Sequence, residues 1–243
     1  MRVFDAHLHV VDPRFPLVPN DGFVPAPFTA EAYRQRVAGL GVTGGAVVSG
    51  SFQATDTAYL EAALGVLGRS FVGVVQLPPD VSDAEVLRLD ALGVRAVRFA
   101  LRRGGALDVT LAQRVWDLAG WHAELYADAR DLPGLPLAEL PRVVIDHFGL
   151  SADGFPHLVH RVENGAFVKA TGFGRLAFSP ADALRRLVAV NPGAVVFGTD
   201  LPSTRAPRPF RDADLQLVCD SLDPDDADAV LYRNAVALYR PGG

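Results

Sequence analysis

The chain has 243 residues, of which 49% are hydrophobic and 21% are charged, and its formal net charge at pH 7 is −5. These values are typical of a globular protein and exclude a disordered chain. No apolar run approaches the roughly 18 residues of a membrane span, and the acidic balance argues against a general nucleic-acid binder. Asp5 and His7 interrupt the N-terminal segment before an apolar signal sequence can form, so we expect a cytoplasmic protein without membrane or nucleic-acid partners.

Two residue counts narrow the chemistry further. Cys219 is the only cysteine, which excludes an internal disulfide and a zinc site made of cysteines. Lys169 is the only lysine among 23 basic residues, so the other cations are arginines. Arginine is the better clamp for a carboxylate, because its planar guanidinium group can make two parallel hydrogen bonds. The composition is therefore compatible with a binding site for an anion.

Eight short apolar runs rich in β-branched residues predict buried strands. They lie at residues 3–10, 45–49, 71–77, 94–99, 122–127, 143–147, 167–171 and 195–199. The amphipathic segments between them carry helix-capping residues and predict helices at 29–40, 56–67, 82–92, 110–119, 179–190 and 223–239. Weaker helices are predicted near 132–140 and 155–164. The Pro-rich stretch 12–28 follows the first strand and is predicted to be an active-site loop.

The alternation of strands and helices predicts parallel pairing with right-handed crossovers. Eight such units in 243 residues favour an α/β fold of the (β/α)8 or TIM-barrel type, formed by residues 1–243 as a single domain. A doubly wound open sheet is the alternative, but no glycine-rich phosphate loop follows the first strand. In a TIM barrel, the functional side chains lie at the C-terminal ends of the strands.

Four candidate catalytic residues lie at three of these strand ends. His7 and His9 alternate along the first strand, so both imidazoles should face the barrel mouth, where they could bind a metal or donate to one substrate oxygen. His147 ends the sixth strand, and its neighbour Asp146 should face the helix layer instead. Asp200 follows the eighth strand, where a carboxylate is costly unless it serves as a metal ligand or a general base.

Arginines near the strand ends predict a cationic mouth. Arg98 ends the fourth strand, where a buried guanidinium group needs an anionic partner. The predicted substrate-binding residues are Arg98, Arg102, Arg103, Tyr126, Arg175 and Arg205. For Arg102 and Arg103 a solvated surface cluster is the alternative, and Tyr126 could instead be a buried tyrosine bonded to a neighbour.

Six short segments carry a resemblance to a known family. They are FDAHLHV at 4–10, GVRAVRF at 93–99, VIDHFG at 144–149, VKAT at 168–171, FGTDLP at 197–202, and YRNA at 232–235 with LY at 238–239. They occur in the family's order and span nearly the whole chain. On these segments the chain resembles the amidohydrolase superfamily, and more narrowly its 2-pyrone-4,6-dicarboxylate lactonase-like branch.

The resemblance implies two kinds of site chemistry. Superfamily members commonly hold a divalent metal through the HxH pair, further histidines and the last-strand aspartate, which here are His7, His9, His147 and Asp200. The branch is known for lactone hydrolysis that can proceed without a metal. Tyr126 stands where many metal-dependent relatives have a histidine ligand. The resemblance therefore implies either no required cofactor or one divalent ion, zinc or manganese.

The resulting hypothesis is a lactonase that acts on a small anionic lactone or carboxylate, as a monomer or a homodimer. Asp200 would take a proton from the attacking water, while His7, His9 and His147 would polarise the ring carbonyl. Arg98, together with Arg175 and one of the two arginines at 102 and 103, would bind the substrate carboxylate.

Three alternatives and two departures from the branch accompany this hypothesis. The alternatives are a zinc- or manganese-dependent hydrolase, a nonoxidative decarboxylase, and a non-catalytic binder on a retained barrel. The departures are Leu150 and Leu17, which stand where the branch has a substrate-clamping arginine and tyrosine. These two differences affect which anionic substrate we expect the site to bind, but the residues expected to carry out hydrolysis are all present.

Overall fold

The computed structural model describes residues 1–242, and its eight strands form one parallel sheet in the order β1 to β8. The strands are β1 (Val3–Leu8), β2 (Val42–Val48), β3 (Phe71–Val75), β4 (Val94–Phe99), β5 (His122–Leu125), β6 (Val143–Ile145), β7 (Phe167–Ala170) and β8 (Val195–Phe197). Each strand pairs in parallel with the next one along the chain. The predicted (β/α)8 barrel is confirmed.

The helices alternate with the strands and cover the outside of the sheet. They are α1 (Ala30–Arg36), α2 (Ala58–Leu67), α3 (Asp83–Ala91), α4 (Val109–Ala119), α5 (Phe155–Glu163), α6 (Pro180–Val190), α7 (Asp212–Ser221), α8 (Pro224–Asp228) and α9 (Asn234–Tyr239). Four predicted caps are present, because the side-chain oxygens of Thr29, Ser82, Ser179 and Asp223 accept from the amides of Ala32, Glu85, Asp182 and Asp225. Among residues 1–242, no helix is long and apolar enough to cross a bilayer.

Two helical regions differ from the prediction, and a third had no predicted bounds. Residues 132–140 form two short 3₁₀ turns, because Pro136 lacks an amide donor and restricts the residue before it. The predicted helix 223–239 is divided into α8, a π-helical turn (Ala229–Arg233) and α9. Helix α7 contains Cys219, for which a late helix was expected without bounds, and its ten residues, DADLQLVCDS, bury Asp214, Leu215 and Val218.

The barrel closes where β1 meets the end of β8. The amide of Asp200 donates to the carbonyl of His7 at 2.7 Å, and the amide of His9 donates to the carbonyl of Leu201 at 2.7 Å. These backbone bonds bring the HxH segment and Asp200 side by side, although they lie at opposite ends of the chain.

Asp5 strengthens this closure. Its carboxylate accepts from the amide and hydroxyl of Thr199 at 2.8 and 2.6 Å, and from the hydroxyl of Tyr33 at 2.9 Å. Burial raises the pKa of Asp5, while these hydrogen bonds oppose that rise. Asp5 therefore links β1, helix α1 and the segment that carries Asp200.

The N-terminal half of the barrel interior is apolar. Side chains such as Phe4, Ala46, Val72 and Val196 pack there against α9, and the ring of Tyr239 stacks on Phe4 with centroids 5.5 Å apart. Helix α9 covers this end of the barrel, where Tyr239 also contacts the buried His122 of β5 with ring centroids 5.1 Å apart.

Candidate active site

The four predicted catalytic side chains meet at the C-terminal end of the barrel. Oδ1 of Asp200 lies 3.9 Å from Nε2 of His7, 3.7 Å from Nε2 of His9 and 3.9 Å from Nε2 of His147. All four residues are at most 4% exposed. Within residues 1–242, Oδ1 of Asp200 and Nε2 of His7 have no hydrogen-bond partner. Unpaired buried polar atoms are costly in a folded protein, so these two atoms are candidates for contact with a ligand.

The protonation of His9 follows from its partner. Nδ1 of His9 lies 2.8 Å from the carbonyl oxygen of Val48. A carbonyl only accepts, so Nδ1 carries the proton and Nε2 of the neutral ring carries a lone pair. Burial lowers the pKa of His9 well below its ordinary value, which favours that neutral ring. His9 therefore does not fit the donor role expected for it, because its Nε2 can only accept or bind a cation.

His147 is held by a hydroxyl and a glycine. Its Nδ1 lies 2.7 Å from Oγ1 of Thr171, which can either donate or accept. Burial lowers the pKa of His147 well below its ordinary value. A Cβ at Gly172, where φ is +64°, would lie 2.9 Å from Nδ1 of His147. This position therefore requires glycine for both its backbone conformation and the space beside the imidazole.

Asp200 is oriented by an arginine. Nε of Arg175 donates to Oδ2 of Asp200 at 2.7 Å, and Nη2 of Arg175 donates to the carbonyl of Thr204 at 2.8 Å. Arg175 follows β7, as the predicted substrate-binding residue should, and it lines the same cavity as His9 and His147. Its guanidinium group thus contacts the candidate base directly.

Asp146 lies inside the barrel, so the prediction that it faces the helix layer is wrong. Strand β6 ends at Ile145, and the chain turns at His147, where φ is +52°. Strict alternation stops at that turn, and both Asp146 and His147 face the interior. Nε and Nη2 of Arg98 donate to Oδ2 of Asp146 at 3.2 and 2.9 Å. Burial opposes ionisation of Asp146, but the neighbouring His7, Arg98 and Lys169 outweigh it and lower the pKa of the carboxyl.

Sequence reasoning missed a buried layer of charged residues beneath the histidines. Nζ of Lys169 on β7 contacts Oε2 of Glu124 on β5 at 2.5 Å, Nδ1 of His7 at 3.3 Å and Oδ1 of Asp146 at 3.7 Å. Lys169, Glu124 and Asp146 are all fully buried. Burial raises the pKa of Glu124, but the positive charge of Lys169 lowers it, and the net effect is a pKa of about 2. The available signal was the lysine itself, because a lysine within an apolar strand is rarely buried without a partner.

A cavity opens above this layer at the C-terminal end of the barrel. It is lined by His9, Asn20, Phe23, Gly50, Ser51, Phe52, Arg98, Arg103, Tyr126, His147, Arg175, Thr204 and Arg205. Arg98 lies deep in this cavity and also donates through Nη1 to the carbonyl of Ser49 at 2.9 Å. The guanidinium of Arg103 lies 5.9 Å from the ring centroid of Tyr126, and it has no hydrogen bond or ion pair within residues 1–242.

The other two predicted arginines lie nearer the rim. Nη1 of Arg102 is 3.9 Å from Oδ2 of Asp128, and the Arg102 side chain is half-exposed in an outer groove. Arg205 contacts the predicted loop 12–28, since it donates to both the side-chain and the backbone oxygen of Asn20 and lies 4.6 Å from the ring centroid of Phe23. This loop thus forms one wall of the cavity.

The buried donor set fits one divalent cation. His7, His9 and Asp200 each offer one potential ligand atom, and these three atoms lie within 4.8 Å of one another. Two imidazoles and a carboxylate are ligands that zinc and manganese accept. The bond between Nδ1 of His9 and a backbone carbonyl is the kind of outer contact that orients a metal-binding histidine. Nε2 of His147 lies beside this set and could supply a fourth ligand.

The comparisons with known proteins agree with this geometry. The family model described as amidohydrolase matches residues 4–240. The chain belongs to the amidohydrolase family. The predicted family and its enzymatic nature are thereby confirmed, because the model spans almost the whole barrel.

Two relatives and one solved structure narrow the likeness. A 2-pyrone-4,6-dicarboxylate hydrolase from Comamonas testosteroni is 29% identical over 82% of this chain and 76% of its own length. A 4-sulfomuconolactone hydrolase from Rhizobium radiobacter is 28% identical over 98% of this chain and 83% of its own length. The structure of a probable 2-pyrone-4,6-dicarboxylic acid hydrolase from Acinetobacter baumannii, with citric acid bound, covers 99% of this chain and 100% of its own with a TM-score of 0.86 at 20% identity. The solved structure supports the fold, and the two sequence relatives point to the lactonase branch.

Proposed function

We propose that this enzyme hydrolyses small lactones that carry anionic groups. The observation that carries the proposal is the unpaired Oδ1 of Asp200, which is surrounded by three imidazoles beneath an arginine-lined cavity. The two relatives named above are hydrolases of a pyrone dicarboxylate and of a sulfomuconolactone, which are both lactones with anionic substituents.

Asp200 is suited to act as the general base. Arg175 fixes the carboxylate through Oδ2, so Oδ1 stays available for a water molecule. The carboxylate takes a proton from that water while the hydroxide oxygen adds to the ring carbonyl. The C–O bond of the ring then breaks, and Asp200 returns the proton to the leaving oxygen. The product is a ring-opened hydroxy acid, or an enol acid where the ring oxygen is attached to a C=C bond.

The three histidines divide the remaining tasks. His9 has its proton on Nδ1, so its Nε2 can accept a hydrogen bond from the attacking water. His147 and His7 are then the candidates that donate to the carbonyl oxygen and stabilise the oxyanion. Removal of one such donor typically lowers the rate by about 10²–10³.

The arginines explain why the lactone should be anionic. Arg103 has a guanidinium group without a protein partner in residues 1–242, and it lines the cavity beside Tyr126. Arg98 and Arg175 bring further positive charge but already pair with Asp146 and Asp200. We therefore assign the first contact with a substrate carboxylate or sulfonate to Arg103, with Arg98 and Arg175 adding to the attraction.

The test is a hydrolysis screen of enzyme treated with a chelator, followed by a pH indicator. The substrates are 2-pyrone-4,6-dicarboxylate, muconolactones with and without anionic substituents, and neutral sugar lactones. Turnover of anionic lactones without added metal supports the proposal. Turnover of the neutral lactones alone, or of none of the lactones under any condition, contradicts it.

A metal-supported version of the same reaction is the second candidate, favoured by the unpaired atoms on His7 and Asp200. His7, His9 and Asp200, with His147 beside them, would hold one zinc or manganese ion. Such an ion lowers the pKa of bound water and polarises a carbonyl. Activity that appears only after zinc or manganese is added back would favour this version. Activity of the chelated enzyme that added metal does not raise would favour the metal-free one.

A further inference from the structure

Nδ1 of His7 lies between two groups, one of which needs a lone pair on this nitrogen and the other a proton. Nζ of Lys169 is 3.3 Å away, and Oδ1 of Asp146 is 3.4 Å away. An ammonium group has only donors, so a bond from Lys169 needs a lone pair on Nδ1. A carboxylate has only acceptors, so a bond to Asp146 needs a proton on Nδ1.

The local geometry favours Lys169. Its ammonium is paired with the Glu124 carboxylate and makes a hydrogen bond to Nδ1 of His7. The charge of Asp146 is already met by two bonds from Arg98 to Oδ2, while its Oδ1 makes no hydrogen bond within residues 1–242. Oδ1 of Asp146 therefore lies close to Nδ1 of His7 without a hydrogen bond, whereas Lys169 makes one.

We propose that Lys169 is a positioning residue that donates to Nδ1 of His7 and so holds the neutral ring with its proton on Nε2, facing the reacting carbonyl. This inference rests on the proposed lactone hydrolysis and adds a residue to it. Lys169 does not contact the substrate itself, because it lies fully buried below the imidazole.

The two histidines of the HxH pair would then have opposite tautomers. His9 presents a lone pair at Nε2, because its Nδ1 donates to the carbonyl of Val48. His7 would present an N–H from a ring whose centroid lies 5.0 Å from that of His9. One ring can thus accept from the water while the other donates to the carbonyl oxygen, which separates the two tasks in space.

The same bond affects metal binding. A cation at Nε2 of His7 needs the lone pair there, so the proton must lie on Nδ1 with Asp146 as its acceptor. Lys169 opposes that tautomer and Asp146 supports it. Removal of the Lys169 ammonium should therefore increase the affinity of the site for a divalent ion.

The surroundings of Lys169 keep its ammonium in place. Oε1 of Glu124 accepts from the hydroxyl of Tyr239 at 2.5 Å and lies 3.2 Å from Nε2 of His122. These contacts fix the carboxylate that pairs with Lys169. A control must leave this layer intact, and Tyr59→Phe does so, because it removes a buried hydrogen bond to Oγ of Ser49 at 2.8 Å and does not touch His7, Lys169 or Glu124.

The first experiment is NMR of chelator-treated protein labelled with ¹⁵N-histidine, with His7→Gln and His9→Gln used to assign the signals. The proposal expects a protonated Nε2 on His7 and a protonated Nδ1 on His9. A proton on Nδ1 of His7 in the wild type overturns it. Because this readout needs no substrate, it is independent of lactone activity, and failure to hydrolyse any lactone would overturn only the proposed function.

The second experiment compares Lys169→Met with Tyr59→Phe. In Lys169→Met we expect the proton of His7 to move to Nδ1. The value of kcat should fall about 10²-fold while KM stays nearly unchanged. Zinc should bind more tightly than to the wild type when zinc chloride alone is titrated. In Tyr59→Phe the tautomer, kcat and zinc affinity should match the wild type. An unchanged tautomer in Lys169→Met overturns the proposal. If that variant does not fold, the wild-type spectrum still decides.

Discussion

Nε of Arg175 donates to one oxygen of Asp200 at 2.7 Å and leaves the other oxygen of the same carboxylate free to face the imidazoles. This division explains how a buried carboxylate can be both fixed and available for chemistry. A carboxylate without the arginine would be an unpaired buried charge, which is strongly destabilising. A carboxylate with both oxygens paired could not accept a proton from water.

The first prediction concerns Asp200→Asn. The amide keeps the shape of the side chain but cannot take a proton, so we expect kcat to fall at least about 10²–10⁴-fold. Binding of the lactone, measured by calorimetry with the inactive variant, should remain within about tenfold of the wild-type KM. Asp182→Asn on the exposed surface of α6 is the control and should leave both values unchanged. Substantial activity in Asp200→Asn would contradict the assignment of the base.

The second prediction concerns Arg103→Met. Its guanidinium group lines the cavity without a protein partner in residues 1–242, so its loss should remove substrate binding more than catalysis. Hydrogen bonds to charged groups are worth about 1.5–3 kcal/mol, and KM for an anionic lactone should rise about 10- to 100-fold with kcat little changed.

Arg102→Met is the matched control for this prediction, since Arg102 is half-exposed and lies outside the cavity. Its KM should stay close to that of the wild type. Equal effects of the two variants would mean that the arginines act as a diffuse positive surface. A fall in kcat without a change in KM would move Arg103 into the catalytic step.

The sequence was sufficient for the parts of this site that obey periodicity. Eight apolar runs alternate with capped helices, and this pattern alone predicted the barrel. His7, His9 and Asp200 could be located because each lies at or just after the end of an apolar run that predicts a strand. In a TIM barrel, the C-terminal ends of the strands lie at the mouth. Their mutual contact then follows from ring closure between the first and last strands.

The missed features depend on contacts that a sequence does not show. The orientation of Asp146 depends on where β6 ends, and the turn at His147 broke the alternation used to predict it. The pairing of Lys169 with Glu124 joins two strands that are not neighbours in the sheet, so no local pattern connects them. The tautomer of His9 is set by a backbone carbonyl on β2, which has no signature in residue type.

The third prediction concerns the pH dependence of stability. Asp128 accepts from Nε and Nη2 of Arg130 at 3.1 and 2.8 Å and from the hydroxyl of Ser151 at 2.7 Å. The hydrogen bonds from Arg130 are the main reason that the pKa of Asp128 falls below its ordinary value of 3.8. The stabilisation by ionised Asp128 is thus fully present above the unfolded pKa. This stabilisation is lost as the pH falls from the pKa of Asp128 in the unfolded state towards its lower pKa in the folded state, because the unfolded state binds the proton first.

Urea denaturation of the wild type and Asp128→Asn measures this contribution. At neutral pH the variant should have a lower free energy of unfolding by about 1–3 kcal/mol, and the gap should narrow below about pH 4. Asp117→Asn, on the exposed side of α4, is the control and should leave the free energy of unfolding at neutral pH close to that of the wild type. A gap that widens in acid would contradict the sign of the pKa shift.

The last prediction uses two glycines with the same backbone requirement and different neighbours. Gly172 and Gly165 have φ of +64° and +89°, so alanine is strained at both positions, by about 1–2 kcal/mol. At Gly172 the new Cβ would lie 2.9 Å from Nδ1 of His147 and 3.0 Å from Cδ of Arg175, whereas at Gly165 it would meet no atom within 4 Å. Both variants should lose stability, but only Gly172→Ala should displace the imidazole and the arginine that holds Asp200.

Measurement of kcat separates the two effects. We expect kcat to fall about 10- to 100-fold in Gly172→Ala, because catalytic groups tolerate little displacement. In Gly165→Ala, kcat should stay at the wild-type value. Equal losses of kcat in the two folded variants would show that backbone strain, rather than contact with His147, determines the effect.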